Sequence, residues 1–373
     1  MLGPEQREDG ELEVVRIATE QLLDSIELPV GETEGSMELV FCDLRQRGES
    51  SRRVRRISSL ATPGPEVREE SVSRRMPRRY LIMLLALGAI WGSSYLLNEI
   101  GLRELEPGAL IEGRFLFAVL VLVPVLALSR ERRRTARALR AALVPLAAVA
   151  LLNAVAPFFL IAWGQQWLDS GLTGILLAAS PLFTTLVALG YDRVEAASGL
   201  RLAGILAGFA GVALLLGVQP GGEQNAFAGA VSILVAALFY SVSGLYVGRR
   251  LAGVPPVAVA TGTALWAVVL TLPLAFLQRP DALPGWETTA ALAALGMGGT
   301  GVAYLLYFAI ISGAGASRAI LVNYLVPTMA VVYGAVLLDE PLELSSIVGL
   351  ALILGGVALG TGALRPGPRA PGG

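Results

Sequence analysis

The chain has 373 residues, of which 54% are hydrophobic and 16% charged, with a formal net charge of -1; soluble domains are nearer one quarter charged. Together with a positive mean hydropathy, this excludes an ordinary soluble protein, and the near-zero charge gives no support to a nucleic-acid partner. There is no histidine and no lysine, so all 29 basic residues are arginine, and Cys42 is the only cysteine. That rules out a Ser-His-Asp triad, the commonest metal ligand and an internal disulfide.

Residues 1–44 hold twelve acids against Arg7 and Arg16, and residues 45–79 hold eleven arginines. Blocks of like charge of this kind read as a disordered segment, here cytoplasmic and covering 1–77. Within it, residues 11–28 have the spacing of a short amphipathic helix through Val15, Ala18, Leu22 and Ile26. Arginines beside a membrane attract anionic lipid. The alternative is translation from Met76, with residues 1–75 an extension.

From Arg79 onward ten apolar segments follow, at 80–100, 108–128, 141–163, 171–190, 200–218, 227–248, 257–277, 288–311, 319–338 and 344–363. Each is close to the ~20 residues that cross a bilayer as a helix. With residue 79 cytoplasmic, the cytoplasmic stretches collect fifteen arginines: Arg78, Arg79, six in the loop RERRRTARALR, Arg193, Arg201, Arg249, Arg250, Arg318, Arg365 and Arg369. The outer loops collect only Arg103 and Arg279. This bias places both termini in the cytoplasm. The expectation is an all-α integral membrane protein of the inner (plasma) membrane, with a disordered tail at 364–373.

The segments repeat. GLTGILLAASPLFTTLVALG and LAGILAGFAGVALLLG at 171–217 return as SRAILVNYLVPTMAVVYGAVLL and SSIVGLALILGGVALG at 317–360. Pro181 lies 23 residues before Gly204 and Pro327 lies 22 before Gly349; Gly204–Gly211 and Gly349–Gly356 are each seven apart and each followed by Val-Ala-Leu. A unit written twice sets the architecture: five-helix halves at 78–218 and 226–363. Five is odd, so the second half enters the membrane inverted. Inverted halves enclosing a midplane site are the pattern of alternating-access transporters.

AIWGSSY in the first span, GRFLFAVLVL in the second, ASPLFTTLVAL with LAGFAGVALL, and LVPTMAVVYGAVLLDEPLELSSIVGLALILGGVAL together resemble the drug/metabolite transporter superfamily, specifically its ten-helix EamA-type exporters. The resemblance covers about 80–363. It implies export of small metabolites, amino acids or drug-like compounds through a central cavity. Arg114 matches the arginine frequent early in the family's second helix, and Glu340 its acidic turn before the last.

Substrate-path candidates are polar and aromatic side chains in the spans: Trp91, Ser93, Asn153, Tyr240, Tyr304, Tyr307 and Asn323. Asparagines in hydrocarbon need partners or a wet cavity. Trp163 and Trp167 suit an outer aromatic belt. Intramembrane charge comprises Arg114, Glu99 and Glu112. Glu112 and Arg114 point about 200° apart on one helix, which leaves Glu99 as the partner for Arg114; an interfacial pair and a substrate or gating role both remain open. Pro181 and Pro327 are mid-span prolines whose duplication favours a gating or cavity-shaping kink. The glycine stripes read as helix contacts. GMGGTG (296–301) has no strand before it, so it is no dinucleotide loop.

No cofactor or metal is called for, and no chemical step: an intramembrane enzyme would need a nucleophile and base that the span centres lack. The partners are a small-molecule substrate and the lipid bilayer; monomer and homodimer are equally compatible. A non-transporting scaffold or sensor would need residues 1–77 to be translated and folded. No carboxylate lies near a midplane, so transport is facilitative or any proton coupling runs through Glu99 or Glu112.

Overall fold

The computed structural model describes residues 76–191, 200–217 and 224–360; the acidic and arginine-rich segment, the sequence at 11–28 with amphipathic spacing, residues 192–199 and 218–223 and the tail lie outside them. Among the described residues every regular element is a helix.

Helix α1 is Arg78–Leu102 and α2 is Pro107–Leu128. Proline at the first position of α2 lacks only a donor that would have been orphaned anyway, and its φ is already helical. The arginine-rich loop folds as a further helix, α3, Arg132–Ala141; arginine and alanine are strong helix formers and nothing breaks the run. Helix α4, Leu143–Gly164, is π-helical over Leu151–Val155. The fourth apolar segment is split into α5, Ser170–Leu177, and α6, Ser180–Tyr191. Next come α7, Leu200–Gly217, α8, Gln224–Arg250, and α9, Pro256–Leu277, which again opens on proline. Helix α10, Trp286–Ala314, is π-helical over Ala294–Val302 and ends at Gly315, whose φ of 90° suits glycine alone. The chain closes with α11, Ala316–Ala319, α12, Val322–Leu337, and α13, Leu344–Gly360.

Among the described residues seven helices are long and apolar enough to cross a membrane: α1, α2, α4, the α5–α6 run over Ser170–Val187, α8, α9 and α10. Three further apolar helices are shorter: Leu202–Gly217, Val322–Leu337 and Leu344–Gly360. Their outward surfaces carry Leu206, Val336, Leu337 and Leu344, all exposed, as hydrocarbon rather than water requires.

Packing follows a regular scheme: α1 lies on α12 and α10, α8 on α4 and α6, α2 on α9 and α10, α9 on α4, and α7 on α13. The last contact explains the glycine stripes. A Cβ on Gly204 would sit 2.6 Å from the Gly360 nitrogen and 2.8 Å from the Gly356 carbonyl, and one on Gly211 would sit 3.0 Å from the Gly349 carbonyl. The two backbones touch because neither carries a side chain there.

Candidate functional site

Arg114 follows Pro107 by seven residues, about 10 Å along α2, and only 5% of it is exposed. Its Nε donates to Thr300 Oγ1 at 3.0 Å, and its guanidinium carbon stands 4.1 Å from the centroid of the Phe158 ring, a cation–π contact in a desolvated place. Thr300 belongs to the π segment of α10, and its hydroxyl reaches back five residues to the Leu295 carbonyl. Glycines let α10 come this close. Gly296 abuts the Arg114 carbonyl and Phe117, and a Cβ on Gly299 would stand 3.1 Å from Ser94 Oγ and 3.6 Å from an Arg114 terminal nitrogen.

Around this core, Trp91 Nε1 donates to the Gly299 carbonyl at 3.1 Å and its ring lies 5.5 Å from that of Tyr307. Asn153, in the π segment of α4, donates to the Tyr304 hydroxyl at 3.3 Å. Phe158 stacks on Phe115 at 5.6 Å and meets Tyr240 edge-on at 6.3 Å. The structure thus gathers Trp91, Arg114, Asn153, Tyr240, Tyr304 and Tyr307 from α1, α2, α4, α8 and α10.

Other residues singled out by the sequence lie elsewhere. Ser93 bonds back to the Ile90 carbonyl of its own helix, and Asn323 is exposed in the first turn of α12. Glu99 does not pair with Arg114. It lies eight residues beyond Trp91, about 12 Å further along α1, in reach of Glu340 and Asp169. Glu112 accepts a hydrogen bond from the Thr271 hydroxyl of α9, on the far side of α2 from Arg114. Pro181 does not kink a continuous helix: it is the second residue of α6, after a break at Ala178–Ala179, where proline is easily housed. The Ser241 hydroxyl of α8 donates to the Ser180 carbonyl at this break. Pro327 does sit inside α12, buried.

Sequence reasoning missed Phe158, Thr300, Ser94 and both π segments. Unusual glycine density at 296–301 was the available signal, and it pointed to close helix approach.

A second polar cluster occupies the end of the bundle where α1 terminates. Glu340, in the turn DEPLE, caps α5: its carboxylate accepts from Ser170 N at 2.8 Å, Ser170 Oγ at 2.6 Å and Gly171 N at 2.9 Å. Negative charge on a helix N-terminus is favourable. The turn itself needs Asp339 at φ 54°. A cleft of about 90 Å³ opens beside it, lined by Asp169, Leu172, Val331, Glu340 and Ser346 among others. Asp169, just outside the apolar run, keeps contact with solvent; partial burial first, then Glu340 and Glu343, raise its carboxyl above the ordinary range.

The EamA-like transporter family matches this chain twice, over residues 78–217 and 227–361. An uncharacterized protein of Pseudomonas aeruginosa is 32% identical over 291 residues, covering 76% of this chain and 94% of its own length. The uncharacterized inner membrane transporter YedA of Escherichia coli is 29% identical, covering 74% of this chain and 89% of that protein. A probable amino-acid metabolite efflux pump of Salmonella typhimurium is 27% identical, covering 76% and 94%. A solved crystal structure shares the fold, with TM-score 0.56 at 21% identity over 77% of this chain and 98% of that one.

Proposed function

The chain belongs to the EamA-like transporter family, and from that premise we propose that this multi-pass membrane transporter exports small metabolites, amino acids or drug-like compounds by alternating access. Its ten apolar segments form ten crossings, the three shorter helices included, in two inverted halves with both termini cytoplasmic. The path runs between the halves, past Trp91, Ser93, Asn153, Tyr240, Tyr304, Tyr307 and Asn323, with Arg114 at its wall and Pro327 and the α5–α6 break at Pro181 as flexible points.

The observation that carries this reading is a symmetry of irregular features. Helices α2 and α9 are both 22 residues long, both begin with proline, and both have a second proline at position eighteen, Pro124 and Pro273. Helices α4 and α10 both become π-helical at their ninth residue, Leu151 and Ala294. The packing scheme maps onto itself when each crossing is exchanged for its counterpart five later: α1 on α12 becomes α8 on the α5–α6 run, α1 on α10 becomes α8 on α4, and α2 on α10 becomes α9 on α4. π segments recur at functional sites, and here they deliver Asn153 on one side and Gly299 and Thr300 on the other. The amino-acid option draws on the name of the Salmonella relative.

Purified protein reconstituted in liposomes preloaded with a metabolite mixture tests the reading: faster efflux than from protein-free liposomes supports it, and equal efflux of every compound counts against it. Any proton coupling is assigned to Glu99 or Glu112. Strict dependence of transport on a pH gradient that survives Glu99→Gln and Glu112→Gln together would remove that assignment.

A further inference from the structure

We propose that Arg114 is the anion subsite of the transport path, and that the transported compounds are small monoanionic or zwitterionic carboxylates with an apolar body. The proposal rests on the transport reading above and specifies the chemistry of its site. Arg114 is nine-tenths buried, yet among the described residues no carboxylate pairs with it. One nitrogen, Nε, is used by Thr300. Among the described residues neither terminal amino group finds a hydrogen-bond acceptor, and neither is one of the buried polar atoms sealed from solvent without a partner. The fork of a guanidinium with both terminal nitrogens free is matched bidentately by a carboxylate.

The fold itself does not need a cation at this place. Counting from the leading prolines, α9 carries Thr261 and Thr263 where α2 carries Glu112 and Arg114. Both threonines are buried, and both hydroxyls lack a hydrogen-bond partner. The corresponding helix of the second half therefore packs without charge, and Arg114 is an addition to the scaffold. Among the described residues it is also the one arginine deep within an apolar span, the others lying at the ends of spans, in the short helices α3 and α11 or between helices. A single cation neutralises one negative charge, which favours a carboxylate over a phosphate dianion. Beside it Trp91, Phe158, Tyr240 and Tyr304 provide an aromatic wall for an apolar or aromatic body, and their π faces also accept an ammonium group.

The test loads proteoliposomes containing the full chain with a mixture of L-phenylalanine, L-leucine, their amides and the corresponding decarboxylated amines, and follows efflux of each. The expected result is efflux of the acids at least tenfold faster than of amides and amines, with that preference lost in Arg114→Gln and partly kept in Arg114→Lys. Thr300→Val, which frees the guanidinium, should weaken the preference without abolishing it. Should Arg114→Gln fail to fold, the preference of the unaltered protein decides. Amides or amines leaving as fast as acids would overturn the subsite while leaving the transporter intact. Efflux of none of the compounds would count against the transport reading and take the subsite with it.

Discussion

Arg114 shows how a single residue can be visible in a sequence while its surroundings are not. A charge inside a span costs roughly 2.5–3.5 kcal/mol on insertion scales, so its presence in the sequence marks the position at once. Its partners come from 44 and 186 residues away, Phe158 and Thr300, and neither is a residue type that hydropathy separates from its neighbours. Sequence logic sought a carboxylate, because opposite charges pair in hydrocarbon; a ring face and a hydroxyl took that place. Glu340 is the converse case, a surface carboxylate whose three bonds hold two connections together. Glu340→Ala is expected to lower stability by roughly 2 kcal/mol, since hydrogen bonds to charged groups contribute about 1.5–3 kcal/mol and this one is half exposed; thermal unfolding in detergent measures it, and an unchanged transition would contradict the capping role. Nearby, the carboxyl of Asp169 is raised in the folded protein. The folded state then binds its proton more readily than the unfolded one, so stability falls as pH rises through the acid range. Asp169→Asn should flatten that fall slightly, read from unfolding transitions between pH 4 and 7.

At the scale of elements, the apolar segments read from hydropathy coincide with helices to within a few residues, because about 20 apolar residues in a row have few other options. What hydropathy does not report is local backbone geometry. The π segment of α4 runs through Leu-Leu-Asn-Ala-Val and that of α10 through a glycine-rich stretch, so residue type alone does not mark them, and at the break between α5 and α6 the Ser180 carbonyl finds its partner in Ser241 of another helix. The charge density of the arginine-rich stretch points to a loop, yet the helix propensity of arginine and alanine prevails and the stretch folds as α3. The glycine stripes were legible as contact surfaces, and the structure shows that they face each other across α7 and α13. Gly204→Leu is expected to cost at least about 1–3 kcal/mol through overpacking against backbone that cannot move aside. Gly355→Ala, where a Cβ meets nothing within 4 Å, should cost nothing. Unfolding midpoints of the two variants in the same detergent check the contrast, and equal losses would contradict the packing.

For the whole molecule, the repeat proposed above rests, in the sequence, on the last two helices of each half, where proline and glycine spacings coincide. It was invisible in α2 and α9, whose shared features are two prolines in otherwise degenerate apolar sequence, and in α4 and α10, whose shared feature is backbone winding. The central claim is that the second half is an inverted copy of the first, enclosing a path with Arg114 on its wall. The direct measurement is accessibility of single cysteines introduced in a Cys42→Ser background at four exposed positions: Arg133, Ala252, Arg103 and Asp281. The account predicts that cysteines at Arg103 and Asp281 react with a membrane-impermeant maleimide in intact cells, and that those at Arg133 and Ala252 react only after permeabilisation. Finding positions 133 and 252 on opposite sides of the membrane would contradict the inverted repeat and the alternating-access path built on it.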